Sequence, residues 1–352
     1  MRRKTKVIRI GGVRIGGNHP LAIQSMTKTK TSDINRTNEE IRKLENAGCE
    51  IVRLAVKDSQ DARAFKKIRR SSRLPLVADI HFNWRLAIEA IDNGADKIRL
   101  NPGNIYKKEE IKNIVSALKQ AKIPLRVGVN SGSVRDLNSA RSSLADRLVK
   151  GALDYVKIIE DMNFYNIVIS LKASSVLDTI EAYRKISKIC DYPMHLGLTA
   201  TGFPFQGAIK SSIAIGVLLL EGIGDTIRVS LTDQPVHEIR AAQSILESLG
   251  LRHFGPQIIS CPTCGRCQVD LVKLVGDFEK KLTTYHLPLT TKSFKVAIMG
   301  CEVNGPGEAR EADIGIAFGK KTGVLFRKGE IEKKVSYANS LGYLLNELKK
   351  RR

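Results

Sequence analysis

Aromatic residues are scarce in this 352-residue chain. They make up 5% of it, with a single tryptophan, and they are not interleaved with lysine and arginine. That removes the stacking platform on which single-stranded nucleic acid is usually held. No apolar run approaches the roughly 18 residues that a membrane span needs. The opening stretch MRRKTKVIRIGG also lacks the continuous apolar core of a secretory leader. No membrane association is expected, and the cytoplasm is the expected location. Six cysteines are too few for a disulfide scaffold. Three of them crowd into Cys261, Cys264 and Cys267, which in a reducing compartment points to metal or redox chemistry. Acidic residues are in deficit: 36 Asp and Glu face 58 Lys and Arg, a formal charge of +22. Such an excess suits nucleic acid, an acidic protein or a phosphorylated small molecule. Without the aromatic platform, nucleic acid is not the expected partner.

What is present is a repeated unit. Short runs rich in Val, Ile and Leu recur as LAIQSMT (21–27), EIVRLAV (50–56), PLVADIHF (75–82), DKIRLNP (96–102), LRVGVN (125–130), IVISLKAS (167–174), MHLGLT (194–199) and TIRVSL (226–231). Each is followed by a segment of helical periodicity, and their starts lie 21 to 42 residues apart, the length of one strand plus one crossover helix. Eight successive βα units predict a closed (β/α)8 TIM-type barrel over residues 20–250, in preference to an open doubly wound sheet. Ahead of it, within residues 1–19, VIRIGGVRIGG alternates around Gly-Gly and predicts a hairpin capping the barrel's N-terminal mouth. The pattern breaks at Gly255-Pro256. Residues 257–352, with the short runs IIS, KVAIMG, IGIAF and GVLF, predict a smaller α+β domain.

Strands of a parallel barrel are packed on both sides, so a charge within one needs a partner. Five of them carry a cation: Arg53, Arg99, Arg126, Lys172 and Arg228. Strand alternation puts Arg99 with Asn101, Arg126 with Asn130, and Arg228 with Ser230 on common faces near the C-terminal strand ends, where this fold keeps its active sites. Any one cation could serve an internal salt bridge. Five converging on one mouth describe a pocket for a multiply charged anion, most simply a diphosphate. Asp79 and His81, two apart in ADIHF, form the titratable pair placed to move protons there.

In the second domain, CPTCGRC supplies Cys261, Cys264 and Cys267, and Cys301 follows in MGCEVNGPGEA. Two thiolates at C-x-x-C spacing with a distant third suit a zinc or an iron–sulfur centre. Glu308, beyond the turn Asn304-Gly305-Pro306-Gly307, would be a weak, exchangeable ligand that could give way to substrate on one iron. Spacing alone leaves both metals open, and with them a rival in another class, a zinc-stapled barrel that binds RNA through its basic surface.

The motifs QSMT, RLAV, PLVADIHF, IRLNPGNI, LRVGVNSGS, SLKAS, HLGLT, EGIGDTIRVSLT, SCPTCGRC and GCEVNGPGEA, in this order, resemble the 4-hydroxy-3-methylbut-2-enyl diphosphate synthase family of the methylerythritol phosphate isoprenoid pathway. The resemblance implies a barrel joined to a reductase-like domain holding a [4Fe-4S] cluster. The implied reaction is reductive opening and dehydration of 2-C-methyl-D-erythritol 2,4-cyclodiphosphate with two electrons from flavodoxin or ferredoxin. By motif, Cys261, Cys264, Cys301 and Glu308 become the cluster ligands and Cys267 a neighbouring thiol. Arg53, Arg99, Asn101, Arg126, Asn130, Lys172, Arg228 and Ser230 become the substrate ligands. A homodimer is also implied. The family commonly has a glutamate after the HLGLT-like strand, where this chain reads Thr199-Ala200-Thr201-Gly202. The acid-base role therefore falls to Asp79 and His81, with Glu308 beside them.

Overall fold

The Val/Ile/Leu-rich runs are strands in the computed structural model, which describes residues 2–134, 142–284, 294–303, 305–320 and 322–350. The chain forms two units, Met1–Arg252 and His253–Arg352.

The first unit opens with the hairpin β1 (Ile8–Ile10) and β2 (Val13–Ile15), paired antiparallel across Gly11-Gly12. Gly11 sits at φ +53°, a conformation a side chain would resist. The eight barrel strands follow: β3 (Ala22–Met26), β4 (Ile51–Val56), β5 (Leu76–Ile80), β6 (Lys97–Leu100), β7 (Leu125–Asn130), β8 (Ile167–Lys172), β9 (His195–Leu196) and β10 (Thr226–Ile227). They are parallel, in the order β8-β7-β6-β5-β4-β3-β10-β9. A bridge between Ile169 and Met194 joins β8 to the approach of β9 and closes the ring.

The helices that cover it are α1 (Ile34–Asn46), α2 (Ser59–Ser71), α3 (Arg85–Asp92), α4 (Lys108–Ala121), α5 (Leu144–Glu160), α6 (Val176–Ser187), α7 (Pro204–Leu220) and α8 (Pro235–Ser248). Their starts obey local chemistry. The side chains of Asp33, Asp58, Ser143 and Ser175 accept backbone N–H groups at the heads of α1, α2, α5 and α6. Proline occupies the first turn of α7 and α8, where its missing N–H costs nothing.

The hairpin does cap the barrel. Ile8, Ile10 and Ile15 form one buried cluster with Ala22, Ile51, Val77 and Val168, which lie in the lower halves of their strands. The N-terminal end of the lumen is thereby plugged with aliphatic carbon. Asp225, 1% exposed, ties the N-terminal segment down by accepting from Arg2 Nη2 at 2.8 Å, Thr5 Oγ1 at 3.0 Å and the Met194 N–H at 2.8 Å.

The second unit is a five-stranded mixed sheet in the order β11 (Pro256–Ser260), β12 (Phe294–Met299), β13 (Ile314–Phe318), β14 (Gly323–Arg327) and β15 (Glu330–Val335). The first three are parallel and the last two antiparallel additions. Helix α9 (Leu271–Thr284) and α11 (Tyr337–Lys349) build its main core through Leu274, Phe278, Leu344 and Leu348. The short α10 (Gly305–Arg310) crosses from β12 to β13 and packs tightly: a Cβ at Gly315 would stand 2.7 Å from that of Ala309. The turn expected at Asn304–Gly307 is, from Gly305 on, the first turn of α10, with Pro306 where a helix accepts it. Asn304 lies outside the described residues.

The plug makes a testable demand. Ile10 is 0% exposed. Ile10→Ala should destabilise the barrel by about 2–5 kcal/mol and Ile10→Val by about 0.5–1.5 kcal/mol. Equilibrium denaturation followed by circular dichroism checks both, and an unchanged midpoint for Ile10→Ala would show that the hairpin contributes little to the fold.

Candidate functional site

Alternation along the strands decides which side chains enter the lumen. On β6 the inward set begins at Lys97 and continues through Arg99 to Asn101. On β7 it is Arg126, Gly128 and Asn130, and on β8 Ser170 and Lys172. Two glycines make room for the cations of neighbouring strands. A Cβ at Gly128 would lie 2.7 Å from Arg99 Nε, and one at Gly197, just past β9, would lie 2.8 Å from Lys172 Nζ.

The result is a buried assembly of positive charge. Arg53, Lys97, Arg99, Arg126 and Lys172 are all at most 8% exposed, and the Arg228 side chain is 15% exposed. Two carboxylates answer them. Asp79 takes Arg99 Nη1 at 3.1 Å and lies 3.7 Å from Arg53 Nε. Glu238, from the first turn of α8, lies 3.8 Å from Arg228 Nη2 and accepts the Leu231 N–H at 3.0 Å. Arg126 pairs with neither within salt-bridge distance: its Nε and Nη1, with Arg99 Nε, Arg228 Nε and the Gln24 amide nitrogen, are buried without a hydrogen-bond partner. Unsatisfied buried donors cost roughly 1–3 kcal/mol each, and more when charged. Every one of these orphans is a donor, and they lie among an excess of positive charge.

Burial and the neighbouring cations set the protonation states. Desolvation, then Arg228 and Arg126, push the Lys172 ammonium well below its ordinary range. His195, fully buried, accepts or donates between its Nδ1 and Thr226 Oγ1 at 2.8 Å, and its Nε2 stands 3.4 Å from Lys172 Nζ. Burial, Arg126 and Lys172 keep its imidazole neutral. Burial alone would raise the Asp79 carboxyl, but Arg53 and Arg99 outweigh it and hold Asp79 well below the usual carboxylate range. Asp79 is thus the counter-ion of two arginines, a poor proton donor. His81 is different. Its side chain is 40% exposed, with Nε2 at 3.0 Å from Arg99 Nη1 and 3.7 Å from Asp79 Oδ2, and Nδ1 at 2.8 Å from the Asn104 amide. Because a guanidinium only donates, Nε2 accepts from Arg99, while Nδ1 faces the Asn104 Nδ2 amide nitrogen.

The remaining expected residues divide. Asn101 is buried, but its amide is engaged with Ser133 Oγ at 2.8 Å and the Gly103 N–H at 3.1 Å, which shapes the loop after β6. Ser230 Oγ donates to the Leu198 carbonyl at 3.2 Å. Asn130 ends β7, half-buried. Lys97, His195, Gln24 and Glu238 were not anticipated. Lys97 had a signal, two residues ahead of Arg99 on the same face. Glu238 had none, since an acid in a first helical turn is ordinarily a partner for the helix dipole.

In the second unit, Cys261 follows β11 and Cys301 follows β12, and these strands are adjacent and parallel, with Ser260 opposite Ile298. Both thiols therefore emerge at one sheet edge. The Gly300 N–H donates to Cys261 Sγ at 3.4 Å, and a Cβ at Gly300 would stand 2.3 Å from Cys267 Sγ. The loop between them carries Cys264, exposed, with Thr263 at φ +66°. The Cys267 N–H bonds the Cys264 carbonyl, while the Cys267 thiol faces the Val269 carbonyl and packs on the α9 core. Glu308 is exposed on α10. Among the described residues no three His, Cys, Asp or Glu side chains are gathered closely enough to hold a metal ion. Of the other cysteines, Cys49 is a buried thiol that burial pushes up to about 12, and Cys190 is partly buried.

Known proteins share this organisation. The barrel unit matches the model of the GcpE TIM-barrel domain over residues 5–243, and the second unit that of the GcpE protein C-terminal domain over residues 257–350. The chain is similar to curated proteins named 4-hydroxy-3-methylbut-2-en-1-yl diphosphate synthase (flavodoxin). That of Fusobacterium nucleatum is 50% identical, with 99% of this chain and 97% of the relative covered. That of Caldanaerobacter subterraneus is 52% identical, with 99% and 98% covered. That of Clostridium acetobutylicum is 51% identical, with 99% of each covered. Among solved structures, dihydropteroate synthase of Yersinia pestis aligns at a TM-score of 0.52 with 11% identity, over 69% of this chain and 98% of that one, a likeness of barrel fold alone. Among the described residues no helix is long and apolar enough to cross a membrane. With both domain models matched in sequence and half of all positions shared over nearly the whole length, the chain belongs to the GcpE family of 4-hydroxy-3-methylbut-2-en-1-yl diphosphate synthases, which are enzymes.

Proposed function

We propose that this chain converts 2-C-methyl-D-erythritol 2,4-cyclodiphosphate to 4-hydroxy-3-methylbut-2-enyl diphosphate. Two electrons and two protons are consumed and one water is released. The observation that carries this reading is the excess of buried cations in the lumen with donors aimed at no acceptor. In a member of this family, the anion that fits is the diphosphate of the substrate.

Arg53, Arg99, Arg126, Lys172 and Arg228 bind it, and Asn130 and Ser230 hydrogen-bond to it from the strand ends. Asn101 holds the loop after β6 in shape against Ser133. Asp79 keeps Arg53 and Arg99 aimed inward and orients His81, the partly exposed imidazole at the mouth, which hands on the proton. A carboxylate that stays ionised between two guanidiniums suits the first role better than the second.

A [4Fe-4S] cluster is read at the edge formed by β11 and β12. The residues fit it in donor chemistry: thiols just past the ends of two adjacent parallel strands, and the Gly300 N–H already bonded to Cys261 Sγ. Cys261, Cys264 and Cys301 would hold it, with Glu308 as the exchangeable fourth ligand. When bound, the cluster supplies the electrons and a Lewis-acidic iron for C–O cleavage. Flavodoxin or ferredoxin is the reductant in this reading, the first being the donor that the relatives' names carry. A cytoplasmic homodimer belongs to the same reading.

The direct test is turnover of the cyclodiphosphate by anaerobically prepared protein with reduced flavodoxin. A colourless, zinc-loaded protein without turnover would overturn the reading. Cys261→Ser, Cys264→Ser and Cys301→Ser should each abolish iron and sulfide content, while Cys267→Ser keeps both; equal loss in the Cys267 variant would replace Glu308 by a four-cysteine site.

Arg126→Met should leave the empty barrel as stable as the parent or more so, since it removes a buried unpaired charge. It should nevertheless raise KM ten- to hundredfold, the scale of lost charge-assisted hydrogen bonds of about 1.5–3 kcal/mol. His81→Gln should lower kcat by about 10²–10⁴ with little change in KM. Asp79→Asn should lower kcat and also destabilise the fold, because two arginines lose their counter-ion. A near-native rate for His81→Gln would move proton transfer elsewhere.

A further inference from the structure

Below the arginines lies a lysine that the reaction as described does not use. Lys97 is two residues before Arg99 on β6, hence on the same lumen face and roughly 6.6 Å deeper at about 3.3 Å per residue. It is 0% exposed. Its Nζ meets the Gln24 Oε1 at 3.3 Å, and among the described residues it makes no ion pair. The groups that bear on it come from the strands around it. Gln24 (β3) is neutral, Arg53 (β4) and Arg126 (β7) are cationic, and His195 (β9) is a neutral imidazole. Below, the floor is the aliphatic plug. The lumen's two carboxylates are engaged by other cations, Asp79 by Arg53 and Arg99, and Glu238 by Arg228 and Lys28.

An ammonium in that place is 0% exposed and has no counter-charge among the described residues, and two guanidiniums repel it. Desolvation of an isolated charge is among the largest penalties a fold can carry. Burial, Arg126 and Arg53 all act to remove the proton. A diphosphate entering from the mouth reverses the sign of the local potential. It also presents acceptor oxygens to Arg126, whose Nε and Nη1 have none.

We propose that Lys97 is a positioning residue of the anion site: an amine beneath the empty lumen, it takes one proton from solvent when the diphosphate end of the ligand binds, and as ammonium it holds that end against Arg126. The balance is Lys97–NH2 plus H⁺ to Lys97–NH3⁺, with no other bond changed. The proposal rests on the reading of the lumen as a diphosphate site. Because Lys97 lies below the arginines, it acts on anchoring rather than on the reacting carbons. The linkage has a definite sign. A base whose proton is lost in the empty folded state and regained on binding makes affinity fall as pH rises.

Calorimetric titration of the intact, cluster-loaded protein with inorganic pyrophosphate at pH 8, in buffers of different ionisation enthalpy, counts the protons exchanged. The parent should take up about one proton more per site than either Lys97→Met or Lys97→Gln, two variants that remove the amine with different polarity. Steady-state kinetics should show KM raised at pH 7 with kcat changed less than twofold, and a KM that no longer climbs as strongly between pH 7 and 9. Failure of pyrophosphate to bind the parent would overturn the diphosphate reading itself. Binding with equal proton uptake in parent and variants would overturn the Lys97 assignment alone and move the proton to Lys172 or His195. If both variants fail to fold, an unprotonated lysine signal that does not shift with pyrophosphate, in ¹⁵N-detected NMR of the parent, would overturn it equally.

Discussion

Uncompensated positive charge inside the barrel is the constraint to which the rest of this molecule conforms. Six basic side chains meet two carboxylates, which among the six pair only with Arg53, Arg99 and Arg228, and a protein of ordinary stability, about 5–15 kcal/mol, has little margin for the buried charges left over. Several features follow from this conflict. Gly128 and Gly197 leave room for the long side chains to spread apart. Asp79 serves two guanidiniums at once, and Glu238 is brought in from a helix because no strand supplies a second carboxylate. Burial and the neighbouring guanidiniums push both lysines well below their ordinary range. An anion among these side chains, as proposed, would relieve that conflict.

How far this could be read from the sequence depended on where each signal lies. Barrel strands buried on both faces appear as continuous runs of Val, Ile and Leu, and all eight showed in that way, with Arg53, Arg99, Arg126, Lys172 and Arg228 as interruptions within them. Strand β15 escaped because five of the six residues in EIEKKV are exposed, so neither periodicity nor hydrophobicity marks it. Lys97 shares a strand face with Arg99, and that parity alone puts it in the lumen. The state of Asp79 was beyond reach, since its surroundings come from β4 and β6, strands paired to β5 only in the folded sheet.

The second unit shows the same division. Cysteine spacing was visible along the chain, but the feature that gathers Cys261 and Cys301 at one edge is the parallel pairing of β11 with β12, strands far apart in sequence. The fit of Gly300 between two sulfurs is likewise a property of that pairing.

The hairpin floor has a kinetic consequence. With Ile8, Ile10 and Ile15 sealing one end, the lumen is a blind channel, so whatever enters must leave by the way it came. Substrate and product both carry the diphosphate in the proposed reaction, and the field that accelerates arrival of the one retards departure of the other. Added salt then acts in opposite directions on the two ends of the catalytic cycle: it slows capture at low substrate and hastens discharge at saturation.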